Sequence, residues 1–276
     1  MRFLSVFLLI AFPHFSFSQE NNVLDKAISE ITVSNLDLVS FDTKDQIFAS
    51  TNSGDIYQFQ ASGKQLNLFS PTRQGRLQQL EAAWTVNIFS FSSDLQEYRI
   101  LDRFLNLLSE NGFFQANINL AKAATLGNNN IIWVWDESDL NLKILDYRRN
   151  TVIQSQPLNI ILNPEKLEVT EIREFKNRLF MNVKGEGIFM FDNQGNFIKK
   201  INLVTDQRLC FYNENLLWLN GEMVMAISLQ NQEKIEIGST GGKDFESISI
   251  GQEKIALITQ DKIKVFDIPV WIKSLQ

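Results

Sequence analysis

Apolar residues in this chain mostly alternate with polar ones or gather in short runs, and neither pattern has the 3.6-residue period of an amphipathic helix. Valine, isoleucine, phenylalanine, tyrosine and tryptophan dominate the runs, and Gly, Asn, Asp or Ser punctuate them. Branched and aromatic side chains suit a pleated surface, and the small polar residues suit the turns between strands. The pattern predicts many short strands and little helix.

The strands repeat. One element is an apolar strand that usually ends in aspartate: Ile56–Gln60, Tyr98–Asp102, Leu142–Asp146, Ile188–Asp192, Val224–Ser228 and Ile263–Asp267. Its copies start 42, 44, 46, 36 and 39 residues apart. A second element lies just upstream of each copy, as Ile47-Phe48, Ile88-Phe89, Ile132-Trp133, Leu179-Phe180, Leu217-Trp218 and a degenerate Ile255-Ala256. A turn and another strand follow most copies, as in Ala61–Lys64 before Gln65–Phe69 and Asn193–Asn196 before Phe197–Leu203. Six four-stranded units spaced by about 40 residues predict an all-β fold, a six-bladed β-propeller. Such a sheet is apolar on both sides, so neighbouring blades must cover it and the ring must close. The aromatic of the second element is expected between blades, and the terminal aspartate is expected to bond its own hairpin backbone. The last unit has three clear strands before Pro269, which interrupts the chain where a fourth would begin. Residues 27–33, which alternate polar and apolar, are expected to supply that strand; Val270–Leu275 is the competing segment.

The chain opens with Met1-Arg2, an apolar run from Phe3 to Phe12, and small residues at Ser16 and Ser18. That is the layout of an export signal cut near Gln19, and the run is shorter than the roughly 20 residues of a membrane span. Two domains are therefore expected, a signal peptide (1–18) and a single propeller (19–276). Removing 18 of the 276 residues leaves 258, takes away one basic and no acidic residue, and moves the formal charge from −6 to −7. It also removes His14, the sole histidine, and leaves Cys210 as the sole cysteine. These counts exclude a Ser-His-Asp triad, a Cys-His pair, histidine-ligated zinc and an intrachain disulfide. The acidic balance argues against a nucleic-acid partner, which needs a basic face. Cys210 stands in the apolar stretch Leu209-Cys210-Phe211 and reads as a small buried hydrophobe.

The stretch Ser53–Leu66 resembles the blade repeat of quinoprotein-type and related exported bacterial propellers, and Gly185–Asn196 is a fainter copy. The resemblance covers the repeat and the six-bladed layout. Quinoproteins carry a docking tryptophan in most blades and adjacent paired cysteines beside the cofactor; neither is present here, so no cofactor is implied. Ser50–Tyr57 is also similar to the S-x-D-x-G-x-x-W hairpin of sialidase-like propellers, without a recognisable arginine triad.

Few residues carry candidate chemistry. Asp192–Asn196 has the flavour of a calcium loop, but position twelve is Leu203 where an EF-hand needs glutamate, so a turn is expected. Asp136-Glu137-Ser138-Asp139 reads as a solvated acidic loop. Trp133 and Trp218 share the inter-blade position, whereas Trp84 and Trp135 lie off it and are candidates to face a cleft. Arg73, Arg76, Arg208 and Lys243 fall in segments between blades and are candidates to converge on an anionic group. With Trp135 they form the expected ligand-binding set; no metal or catalytic residue is assigned. The composite expectation is an exported, non-enzymatic platform for a protein or glycan partner. The alternative is a histidine-free enzyme, either a glycoside cleaver using carboxylates or one that resembles calcium-dependent six-bladed lactonases. Its candidate acids are Glu81, Glu171 and Glu246.

Overall fold

A computed structural model describes residues 22–82, 86–163 and 167–275. The segment 1–18, Gln19 and Trp84 lie outside the described residues. The chain forms six antiparallel four-stranded sheets arranged as blades around a ring. After an N-terminal strand β1 (Ser29–Thr32), blade 1 comprises β2 (Leu36–Phe41), β3 (Ile47–Thr51), β4 (Ile56–Phe59) and β5 (Gln65–Phe69). Blade 2 comprises β6 (Gln79–Glu81), β7 (Asn87–Ser92), β8 (Glu97–Asp102) and β9 (Leu107–Gly112). Blade 3 comprises β10 (Ala121–Leu126), β11 (Ile131–Asp136), β12 (Asn141–Asp146) and β13 (Thr151–Pro157). Blade 4 comprises β14 (Val169–Phe175), β15 (Arg178–Val183), β16 (Gly187–Phe191) and β17 (Phe197–Ile201). Blade 5 comprises β18 (Cys210–Tyr212), β19 (Asn215–Asn220), β20 (Met223–Ser228) and β21 (Lys234–Ser239). Blade 6 takes β22 (Ser247–Ile250), β23 (Lys254–Ile258) and β24 (Lys262–Asp267) from the end of the chain and β1 from its beginning. The two repeated sequence elements are the second and third strands of every blade.

The side-chain alternation of a strand sends successive residues into opposite blade interfaces. In β11, Ile132 and Val134 pack with Phe91, Tyr98 and Ile100 of blade 2. Trp133 and Trp135, between them in sequence, pack with Ile172, Leu179 and Met181 of blade 4. The same partition gives one apolar cluster at each of the six interfaces, for example Phe48 and Ile56 against Leu80, Ile88 and Leu101 between blades 1 and 2. The aromatic positions of the second element behave as expected: Phe48, Phe89, Phe180 and Trp133 are buried, and Trp218 packs half-buried at the edge of the interface between blades 4 and 5.

Trp135 departs from expectation. It is 0% exposed and faces no cleft, because two residues apart on one strand means the same face, and that face is covered by blade 4. The acidic stretch after it is a solvated turn only in part: Ser138 and Asp139 are exposed, whereas Asp136 is not. Asp136 is fully buried, accepts from the Lys143 ammonium at 2.7 Å, and takes the Asn119 and Leu120 N–H groups at 3.0 and 3.1 Å. Asp139 holds the same ammonium at 2.7 Å. Burial pushes the Asp136 carboxyl up, but the bonds from Lys143, Ser138 and the backbone outweigh it and hold it below the ordinary range.

The aspartates that end the third strands hold the next turn. Asp102 Oδ1 accepts from the Phe104 and Asn106 N–H groups at 2.8 and 2.9 Å, and Asp192 Oδ1 does the same for Gln194 and Asn196, both at 2.8 Å. The carboxylate of Asp192 is thus committed to a turn. The Ser50–Tyr57 segment is a hairpin in which Gly54 has φ +89° and lies so close to the Gly75 carbonyl that any Cβ would collide with it.

Ring closure is made by the N-terminus. Strand β1 pairs antiparallel with β24, from Ser29 opposite Val265 to Thr32 opposite Lys262, and Glu30 bonds the Lys262 ammonium at 2.8 Å. Just before it, Leu24 N–H donates to the Ser239 carbonyl and Ser239 N–H to that of Asn22, which ties the chain to the outer edge of blade 5 as well. The competing segment forms a short helix, α1 (Val270–Lys273), whose Ile272 is buried against blades 5 and 6.

Two consequences are measurable. Trp135→Ala and Phe180→Ala should each cost about 3–5 kcal/mol in urea denaturation, as large-to-small changes in a closed core do, and Trp218→Ala should cost clearly less. Deleting residues 22–34 removes Leu24, Ile31 and Val33 from two interfaces and exposes the β24 edge. It should cause aggregation or a large fall in melting temperature, greater than that from deleting residues 271–276.

Candidate functional site

Every inner strand is entered from a between-blade connection and left through a hairpin, so all six run in the same direction along the central channel. The connections 33–35, 70–78, 113–120, 202–209 and 240–246, and the described parts 158–163 and 167–168 of the sixth, therefore gather at one end of the ring. Inner strands touch in sequence from β22 through β2, β6 and β10 to β14. Strand β10 contacts both β6 and β14, and past it Gln78 Nε2 donates to the Thr170 carbonyl of blade 4 at 2.9 Å. The channel widens on the other side, into a cavity of about 350 Å³ walled by β2, β6, β14, β18 and β22.

This cavity has two unlike ends. At the between-blade end stand Gln79, Glu171, Arg173 and Arg208; at the opposite end the aromatic rings of Phe41, Phe175, Phe211 and Tyr212 stand among Asp42, Lys176, Asn213 and Gln252. Strand β14 shows how the sequence achieves this, since Glu171, Arg173 and Phe175 are two apart and all line the cavity, Phe175 also packing into the interface with blade 5, while Ile172 enters the interface with blade 3. Glu171 Oε2 accepts the Leu209 N–H at 2.9 Å, which bridges blades 4 and 5. Glu171 Oε1 is buried without a hydrogen-bond partner, with Arg173 Nη1 4.0 Å away. Arg208 Nη1 reaches Gln79 Oε1 at 3.5 Å.

Two further groups border this polar end. Glu81 sits behind the Gln79 wall, with the Gln79 side-chain amide donating to its Oε1 at 2.6 Å. Burial pushes its carboxyl up, against the opposing pull of the Arg173 guanidinium and the bonds from Gln79 and Thr125. The Cys210 thiol is raised by burial to about 12, which keeps it protonated and confirms it as a small apolar wall.

The expected ligand set disperses. Arg73 is paired with Glu97, and Arg76 forks onto Asp37 with two bonds of 2.9 Å. Lys243 is exposed on its loop, Trp135 is in the core, and Arg208 alone reaches the channel cavity. Of the candidate acids, Glu171 lines the cavity, Glu81 lies behind it and Glu246 is exposed on a between-blade loop. Sequence reasoning missed Arg173; its spacing of two from Glu171 on an innermost strand was the available signal. Among the described residues no group of three or more His, Cys, Asp or Glu side chains is placed to hold a metal ion, and no helix is long and apolar enough to cross a membrane.

The between-blade end also exposes large apolar side chains. Phe114, Ile160 and Val204, on three consecutive connections from blade 2 to blade 5, are 76%, 87% and 62% exposed.

No family model matches the chain, and no curated protein matches it in sequence. Solved structures match its fold. The Cps50 (Swd1) β-propeller domain of Myceliophteria thermophila superposes with a TM-score of 0.61 at 11% identity, covering 88% of this chain and 99% of that one. The streptogramin B lyase structure gives 0.58 at 14% identity, with 87% of each chain covered. The Neurospora crassa Pan2 WD40 domain gives 0.57 at 11% identity, covering 81% and 72%. The chain is a six-bladed β-propeller. At these identities the likeness extends to architecture alone.

The raised Glu81 carboxyl makes a pH-dependent prediction. The folded state holds this proton more tightly than the unfolded chain, whose glutamates titrate near about 4.3. Ionisation of Glu81 therefore destabilises the fold as pH rises from there through its folded value. Glu81→Gln keeps the acceptor for Gln79 and removes that cost. Melting curves should show the variant gaining on the parent chain as pH rises from 4 to 8; a gap independent of pH would contradict the assignment.

Proposed function

We propose that this chain is an exported, non-enzymatic platform that binds a protein partner through the end of the ring carrying its between-blade connections. The observation that carries the reading is the exposure of Phe114, Ile160 and Val204. Large apolar side chains exposed on three consecutive connections, at the same end of the ring as the charged loops of Arg73, Arg76 and Lys243, supply the apolar and polar elements that a docking face needs. A glycan partner leaned on open indoles, and the burial of Trp133 and Trp135 favours protein instead. Propellers of the WD40 type, to which two of the similar structures belong or are related in architecture, offer the same kind of rigid face, by analogy of fold. Export rests on the charged start, apolar run and small residues of positions 1–18.

A glycoside-cleaving enzyme would need two carboxyls open to one substrate. Glu81 lies behind the channel wall and is bonded to Gln79, which supports the binding reading over the catalytic one.

The test is affinity capture from the native host, comparing the parent chain, a triple variant F114S/I160S/V204S, and a control variant L68S/I153S on the exposed outer strands. A partner retained by the parent and the control and lost by the triple variant is the expected result. A partner held equally by all three, or binding to a glycan panel that the triple variant leaves intact, would overturn it. Intact-mass measurement of exported material should give a chain beginning at or beside Gln19.

A further inference from the structure

The channel cavity is separate from these exposed loop side chains and is built for something smaller. Three features of it call for a bound group. Glu171 is buried, yet one of its carboxylate oxygens lacks a donor, an arrangement that costs free energy unless a ligand or water supplies one. Arg173 lies mostly buried beside it and, among the described residues, has only that 4.0 Å approach to Glu171 as an ion pair. Arg208 adds a second guanidinium, whose one hydrogen bond among the described residues is the long contact to Gln79.

Charge at this end is unbalanced toward the positive. Asp37 is already forked by Arg76, and Asp42 lies toward the other end of the cavity, next to Phe41, where its Oδ1 accepts the Lys44 and Gln46 N–H groups at 2.8 Å each. Glu171 is left as the one lining carboxylate facing two guanidiniums. A guanidinium fork matches a carboxylate in shape and charge. A bound carboxylate here would leave its neighbouring atom beside the vacant oxygen of Glu171, which only accepts. Farther along the channel the lining includes the rings of Phe41, Phe175 and Phe211 beside Lys176 and Asn213, and the rings suit an apolar group. The volume of about 350 Å³ lies at the lower end of the roughly 300–1,000 Å³ usual for small-molecule sites.

We infer that the channel binds a small carboxylic acid with a hydrogen-bond donor on the adjacent carbon and an apolar side chain, that is, an apolar α-amino or α-hydroxy acid. Arg173 and Arg208 take the carboxylate, Glu171 Oε1 accepts from the α-ammonium or α-hydroxyl, and the side chain points toward Phe175 and Phe211. Nothing in this depends on the loop face having a protein partner.

Isothermal titration of the folded chain with four matched probes tests it: L-phenylalanine, L-3-phenyllactate, 3-phenylpropionate, which lacks the donor, and L-phenylalaninol, which lacks the carboxylate. Phenylalanine or phenyllactate should bind, and the one that binds more tightly identifies the donor as ammonium or hydroxyl. The other two should bind at least tenfold more weakly. Arg173→Gln should weaken the preferred probe by tenfold or more. Glu171→Gln should narrow its advantage over 3-phenylpropionate. Arg208→Gln, at a half-exposed position, serves as the second carboxylate variant should Arg173→Gln melt at a markedly lower temperature. Failure of all four probes to bind the folded chain would overturn the inference, as would equal binding of 3-phenylpropionate and phenyllactate, or of phenylalaninol and phenylalanine.

Discussion

Each blade of this protein has two apolar faces and no way of covering either by itself. A lone four-stranded sheet of this composition would leave residues such as Phe48, Phe89, Trp133 and Phe180 in water, and burying side chains of that size is worth about 1.5–3 kcal/mol each. Burial is achieved only when a second sheet lies against each face, and the requirement passes from blade to blade until the ring closes. This explains why the six apolar clusters coincide with the six interfaces, and why the closing strand β1 comes from the opposite end of the chain to its neighbour β24. With one cysteine, no intrachain disulfide holds the ends together; packing and the β1–β24 ladder do.

The same constraint organises function. Because successive blades are joined from outer to inner strand, the inner strands run in one direction and the longer connections collect at one end. Side chains there are not needed to cover a neighbouring sheet, so that end is where Phe114, Ile160 and Val204 remain exposed. The channel sides of the inner strands are likewise released from the interface pattern. Polar and charged residues are tolerated there, and Glu171, Arg173 and Arg208 line the space between β2, β6, β14, β18 and β22.

Asp136 shows how charge is accommodated inside such a ring. A carboxylate with no exposure persists because Lys143 and a set of N–H groups satisfy it, a balance in which removing one partner is costlier than the pair's own net contribution. Glu81 is the less satisfied case, with burial winning over its bonds. Two carboxyls in neighbouring blades thus differ in direction of shift because one has an ammonium directly bonded and the other has a guanidinium only in its vicinity.

Much of the architecture was legible in the residues alone. Strand character, the six repeats, the aspartate-held turns, the inter-blade aromatics and closure by residues 27–33 all follow from local periodicity and turn chemistry, which depend on neighbours in sequence. The candidate site was legible only in fragments. Glu81, Glu171 and Arg208 could be named, but their separation of up to 127 residues hid which of them share a wall. Trp135 looked free because its position departs from the repeat, whereas its exposure depends on blade 4, which lies beyond its own sheet. Arg76 and Arg208 look equivalent as loop cations, yet one meets Asp37 and the other meets the channel. The sequence by itself determined which segments become strands and which faces must be covered, because those are local demands of backbone and hydrophobicity. Only the tertiary structure decided which polar side chains meet, because that depends on how the blades are placed around the ring and which inner strands come to face one another across the channel.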